Sequence, residues 1–344
     1  MTTSTTARVF LGVDAGNSKT VALACDETGR VLGYGRGGTG DIYGVKSEQH
    51  AVDEVLGCVK AALTMAGRQA SDVHGAAFRL AGVDWPEDRE FWYDVLARDL
   101  PDVFRLVRQG RCSIENDGFA PIRCVEPTGV AVAVVAGTGA AVAGRGPTGT
   151  EWSMSFWIQD GHAASSMVAD ALRAVYFAEL GLGPATQLTE RLLTFFGYAT
   201  VEQMLREFTR RGGTPSRPAH TAAAEVSKAA IAGDVVAGEI VHDLAGRLAD
   251  YAYVTAKRVG FDVANGEVPV VLAGSVLRGD DSPVTRALLK ALPERLPGAR
   301  ACVTTLPPVA GATLDALAEA GFEVSAEVVG RLRASLPVPN LIGA

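Results

Sequence analysis

One unit of sequence occurs twice, about 120 residues apart, and it constrains the fold more than any other feature. An apolar run ends in a Gly-containing turn and leads directly into a second apolar run. The first copy reads Gly12–Val13–Asp14–Ala15–Gly16–Asn17–Ser18 and the second Val134–Val135–Ala136–Gly137–Thr138–Gly139–Ala140. Two such β-hairpins, each opening a mixed sheet, predict two related α/β domains. The join is expected at 118–127, which gives domains 1–118 and 119–344. The C-terminal helix is a candidate to complete the first of them.

The remaining pattern agrees with this plan. Strand-like runs fall at 8–13, 20–25, 30–34, 76–80, 112–116, 130–136, 140–143, 269–273 and 301–306. Helical periodicity falls at 47–66, 88–98, 163–180, 221–231, 237–258, 283–292 and 310–319. Residues 26–29 carry the Asp and Gly of a hairpin turn, so the first three strands form an antiparallel meander. The second hairpin is expected to close in the same way at 144–146. Strands alternating with helices then add parallel neighbours.

Composition narrows the function classes. With 344 residues, 48% of them apolar, the chain is long enough to bury two cores. No apolar run reaches the roughly 18 residues of a membrane span, and the Thr-rich start has no secretion signal, so a cytoplasmic protein is expected. The formal charge is −7 and no basic cluster stands out, which argues against a nucleic-acid partner. Cys25, Cys58, Cys112, Cys124 and Cys302 are scattered and odd in number, the pattern of reduced and mostly buried thiols. The histidines form no ligand spacing with them, which argues against structural zinc.

Chemistry concentrates at four places. In Asp14–Thr20, Gly16 lets the backbone approach closely, and Asn17, Ser18 and Thr20 add polar side chains. Asp14 suits Mg²⁺ held through water, and Lys19 suits phosphate oxygens. No helix follows, so this is not a Walker loop, and an ordinary hairpin turn has the same appearance. Gly137–Thr138–Gly139 offers a second set of backbone donors and one hydroxyl. Asp117, after Ser113–Ile114–Glu115–Asn116, stands where open sheets bind ligands and suits a base that accepts a proton from a hydroxyl. A helix-capping Asp has the same signature. Finally, Gly274 and Ser275 make a small-residue turn after a buried run, which suits a flat ring such as adenine.

Taken in order, these motifs resemble the BadF/BadG/BcrA/BcrD-type ATPases, which include N-acetylglucosamine kinases and share the sugar kinase/Hsp70/actin fold. The resemblance runs from Phe10 to about Ala320 and ends at the helix start Pro308–Ala312. It implies two ribonuclease H-like, actin-like ATPase domains with mixed sheets flanking an ATP cleft. It further implies Mg²⁺ near Asp14 and Asp117, with Asp117 as the base toward a sugar hydroxyl. Sugar contacts are implied at Asp41, Gly82, Thr138 and Asp160, and phosphate contacts at the two Gly turns. The acceptor side departs from the family pattern. Relatives carry Gly-Trp-Gly and then Gly-Asp-Glu-Gly-Ser, where this chain reads Ser153–Met154–Ser155–Phe156–Trp157–Ile158–Gln159–Asp160–Gly161–His162–Ala163.

The expected activity is therefore ATP-dependent phosphorylation of an amino sugar. A homodimer is the prior expectation for such a soluble enzyme. Two other classes compete. An activator ATPase of the same family needs a Cys-Gly-Gly setting for an iron–sulfur cluster, and Cys124 stands instead in Arg123–Cys124–Val125. A non-catalytic sugar or nucleotide sensor would account for the altered 153–163 segment.

Overall fold

The strands of the computed structural model are β1 (Val9–Ala15), β2 (Thr20–Cys25), β3 (Val31–Gly37), β4 (Val73–Leu80), β5 (Cys112–Asn116), β6 (Ala131–Ala136), β7 (Ala140–Arg145), β8 (Glu151–Ser153), β9 (Val268–Ala273) and β10 (Ala299–Val303). The structure describes residues 8–44, 47–159, 161–279 and 281–337. Its helices are α1 (Glu48–Met65), α2 (Pro86–Asp99), α3 (Pro101–Phe104), α4 (Ile122–Val125), α5 (Ala164–Glu179), α6 (Leu188–Phe196), α7 (Val201–Thr209), α8 (Ala223–Ile231), α9 (Val235–Arg258), α10 (Pro283–Arg295), α11 (Pro308–Glu319) and α12 (Ala326–Ser335). The chain divides into two units. One holds the residues up to 133, 142–155 and those from 304 onward, and the other holds 134–141 and 156–303.

In the first unit β1 lies at the centre of a sheet of order β3-β2-β1-β4-β5, antiparallel to β2 and parallel to β4. Its sequence explains the position, because it is apolar on both faces. Val9, Leu11, Val13 and Ala15 enter a cluster with Val52, Val55 and Val59 of α1. Phe10 enters another with Leu314 and Leu317 of α11. Two glycines set how closely α11 seats. A Cβ on Gly12 would lie 2.3 Å from the Thr313 nitrogen, and one on Gly311 would lie 1.9 Å from the Ala120 carbonyl oxygen. Gly311→Ala is therefore expected to cost at least ~1–3 kcal/mol, because backbone rather than a mobile side chain must yield. An unchanged urea midpoint would contradict this packing.

The second sheet has the order β10-β9-β6-β7-β8, with β9 and β10 parallel and β7 and β8 antiparallel. Read from β8, it repeats the order of the first, as the duplicated hairpin predicts. Its closing turn differs from expectation. Gly144 and Arg145 remain in β7, opposite Trp152 and Glu151, and the turn is made at 146–150 with Gly149 at φ +81°. The left-handed residue, not the first Gly-Arg pair, marks the reversal.

Helices α6, α7 and α12 and strand β8 were not apparent from periodicity. The first two follow one another in the second unit and are nine residues each. Asp234, the N-cap of α9, accepts from the Ala237 amide at 2.8 Å, the Gln187 amide at 2.7 Å and the Thr186 hydroxyl at 2.9 Å. It thereby ties the start of α6 to that of α9. Cys25, Cys58, Cys112 and Cys124 are buried and Cys302 is exposed, in line with the composition. Among the described residues no helix is long and apolar enough to cross a membrane.

Candidate active site

In the first unit, β1 ends at Asp14 and Ala15 and the chain reverses through Gly16–Lys19. The Gly16 amide donates to the Lys19 carbonyl at 2.9 Å, and the Gly40 amide donates to the Gly16 carbonyl at 3.2 Å. Little stands against Gly16, since a Cβ there would meet only the Lys19 carbonyl oxygen, at 3.8 Å. Asn17 and Ser18 are exposed, Lys19 is half-buried, and Thr20 is buried with its hydroxyl unpartnered. The turn thus combines an uncrowded Gly16 with polar side chains beside it, which suits close approach of a phosphate.

Asp117 follows β5 as the first residue of a single 3₁₀ turn, Asp117–Phe119. It is not the capping residue. That role belongs to Asn116, whose side chain accepts from the Gly118 amide at 2.9 Å, and the Asp117 carboxylate is left available. Burial pushes Asp117 up to about 8, and the neighbouring Asp14, Asp84 and Asp41 add to this, while the Gly118 N–H opposes it. Burial likewise pushes Asp14 up to about 7, against the pull of Lys19. Two half-buried carboxylates, both raised and only partly offset, are candidates to hold a cation or take up a proton.

Asp41 and Gly82 join the same cluster. The Asp41 carboxylate accepts from the Tyr43 amide at 2.9 Å. Gly82 has φ +79°, and a Cβ there would come within 2.6 Å of Asp41 Oδ1, so glycine is what allows the two loops to touch. Asp160 lies outside the described residues. The sequence reading missed Asp84, whose carboxyl is raised by burial and which hydrogen-bonds Ser155 and Asn116. Its signal was its place two residues after Gly82, in a turn already marked by that glycine.

One row of this sheet is ionic. Asp14, Arg79 and Glu115 are register partners across β1, β4 and β5. Arg79, fully buried, donates to Asp315 of α11 at 2.8 and 3.0 Å and to Glu319 at 3.0 Å. Arg123 and Arg145 donate to the other Asp315 oxygen at 2.6 and 3.2 Å. These arginines hold Asp315 down, at about 2, against its burial.

In the second unit the turn Gly137–Thr138–Gly139 joins β6 to β7. The Ala164 and Ser165 amides at the start of α5 donate to the Gly137 and Thr138 carbonyls at 3.1 and 3.0 Å. Space beside Gly139 is open to 4 Å. Gly274, at φ +99°, lies against the same turn. A Cβ there would meet the Ala136 carbonyl oxygen at 2.2 Å, and the Val276 amide donates to that oxygen at 3.0 Å. Ser275 is exposed beside it. Two of the four sequence motifs thus meet within one unit.

The family model of the BadF/BadG/BcrA/BcrD ATPases matches residues 11–318. The chain belongs to this family. An N-acetyl-D-glucosamine kinase of Dictyostelium discoideum is 24% identical over 320 residues, which are 90% of this chain and 98% of that protein. Among solved structures, a candidate N-acetylglucosamine kinase from Chromobacterium violaceum superposes with TM-score 0.67 at 20% identity, covering 90% of this chain and 99% of its own. A ROK-family glucokinase from Streptomyces griseus, in complex with glucose and AMPPNP, gives 0.55 at 19%, covering 90% and 98%. These likenesses show the sugar-kinase, actin-like fold that the family resemblance implied.

Proposed function

We propose that the chain is an ATP-dependent kinase of an amino sugar, with Asp117 as the base toward the acceptor hydroxyl. The observation that carries this reading is the half-buried Asp117 with its raised carboxyl, grouped with Asp14, Asp41 and Gly82, in a BadF-family chain related to an N-acetyl-D-glucosamine kinase. The open turns at Gly16 and Gly137–Gly139 support the phosphate contacts, with Lys19 and Thr138 as their side-chain partners. The Gly274–Ser275 turn supports an adenosine contact. Asp41, Gly82 and Asp160 are the proposed sugar contacts beside Asp117 and Thr138.

The donor set fits Mg²⁺. Asp14 and Asp117 offer hard oxygen ligands, Asp14 offset only in part by Lys19 and Asp117 opposed only by the Gly118 N–H. Among the described residues no three His, Cys, Asp or Glu side chains form a closed cage. A cation that keeps waters and phosphate oxygens in its shell needs only one or two such carboxylates. When bound, it neutralises charge on the phosphates. The protein's own part is to orient the acceptor, to remove the hydroxyl proton at Asp117, and to oppose phosphoryl charge with backbone N–H groups.

The test is coupled ADP release with Mg–ATP against N-acetylglucosamine, glucosamine, N-acetylmuramic acid, glucose and a blank without sugar. A rate that depends on an amino sugar is expected. Equal rates with and without sugar would overturn the kinase reading, and nucleotide binding without turnover would favour a sensor on the same fold.

A further inference from the structure

Asn116 sits between two groups that fix its carboxamide without ambiguity. Its Oδ1 accepts from the Gly118 amide at 2.9 Å, so its Nδ2 must face the other way. There it donates to Asp84 Oδ1, also at 2.9 Å. The Gly118 N–H also reaches the Asp117 carboxylate. A short relay thus leads from Asp84 through Asn116 to the turn that bears Asp117.

Asp84 is itself held. Its own amide donates to Asp88 Oδ2 at 3.0 Å, and the Trp85 amide donates to the same oxygen at 2.7 Å. Asp88 is buried and also accepts from the Tyr43 hydroxyl at 2.8 Å. The start of α2 is therefore a rigid mount for the Asp84 side chain. On its far side Asp84 accepts from the Ser155 hydroxyl. The Ser153 and Ser155 hydroxyls lie 2.6 Å apart and share a hydrogen bond, in which Ser153 is the donor when Ser155 gives its one proton to Asp84. Ser155 adopts φ +43°, a conformation uncommon for a residue with a Cβ and one that clusters where function fixes the backbone.

We infer that Asp84 is a positioning residue that holds the Asp117 turn through the Asn116 carboxamide and ties the Ser153–Ser155 segment to it. The inference rests on the reading of Asp117 as base. It assigns a role to Ser153 and Ser155, which lie in the segment that departs from the family pattern, since each supplies one hydroxyl to the line that ends at Asp84.

The test is steady-state ADP release with Mg–ATP and N-acetylglucosamine or glucosamine, whichever supports turnover. Asp84→Ala is expected to lower kcat by about tenfold or more while KM for ATP moves less than about twofold, since geometry and not nucleotide binding is disturbed. Asp84→Asn keeps an oxygen for the Asn116 donor and is expected to retain most of the rate. The double variant Asp84→Ala/Asn116→Ala should be no slower than Asn116→Ala alone, because both remove one relay. A wild-type kcat for Asp84→Ala, an Asp84→Asn as slow as Asp84→Ala, or effects that multiply in the double variant would each overturn the inference. Asp117→Asn is assayed beside them. If that variant is fully active the base assignment fails, whereas an inactive Asp117→Asn with a fully active Asp84→Ala overturns only the role of Asp84.

Discussion

Asp117→Asn is expected to reduce turnover by about 10³-fold while leaving nucleotide binding in place, the loss typical of a general base removed without change of shape. Asn preserves the size of the side chain and the Asn116 cap, so the turn itself stays intact. Titration with a non-hydrolysable ATP analogue measures the binding, and coupled ADP release measures the turnover. Retained turnover beside retained binding would remove Asp117 from the mechanism.

The same substitution has a consequence for stability that needs no substrate. The Asp117 carboxyl is raised to about 8 and that of Asp14 to about 7, both mainly by burial. Over the interval between roughly pH 4 and these values, the unfolded chain has released protons that the ligand-free folded chain still holds. Stability therefore falls as pH rises through that window. Asp117→Asn removes one of the two groups responsible. The variant is expected to unfold a few degrees above the wild type near pH 8, with the difference closing near pH 4. A wild-type advantage at pH 8, in thermal melts without nucleotide, would contradict the burial of this group.

How far the fold could be read in advance depended on whether the signal was local. The hairpins were legible because each strand and its turn are adjacent in sequence, and they fix the antiparallel half of each sheet, whereas the places of the crossover strands β4, β5, β9 and β10 do not follow from them. Helix α11 was legible from its Pro308 start, though its seating on β1 becomes clear only from Gly12 and Gly311, which are 299 residues apart in the chain. Strand β8 and helices α6 and α7 are short, and their limits are set by tertiary partners such as Asp234. Asp14 and Asp117 could be picked out because strand ends beside glycine are recognisable. Asp84 had only its place after Gly82 to mark it, since its partners Asn116 and Ser155 are distant in sequence and its neighbours Trp85 and Pro86 suggest only a helix start. Asp160 remains outside the described residues.

Asp315 is the furthest case from local legibility, and it carries the largest stability effect expected of any single side chain here. In sequence it is one acid in an Ala- and Leu-rich helix. In the fold it is fully enclosed, and four nitrogen donors from Arg79, Arg123 and Arg145 converge on its two oxygens. Such a pair is costly to desolvate, but removing one partner is costlier still, because the guanidinium groups left behind stay buried without their counter-charge. Arg79, with no exposed surface, would keep only Glu319 and the Ser113 hydroxyl as side-chain partners. Asp315→Asn is accordingly expected to cost about 3–5 kcal/mol. Asp250→Asn, which breaks an exposed pair with Arg295, should leave the urea midpoint unmoved. The pH sign here is opposite to that of Asp117. The Asp315 carboxyl is held down to about 2, so its stabilisation is complete above roughly pH 4 and is lost as pH falls toward 2. The gap between wild type and Asp315→Asn should therefore be full at neutral pH and narrow in acid. A gap that does not narrow there would mean that the variant fails through lost packing, not through loss of the charge that Arg79, Arg123 and Arg145 share at Asp315.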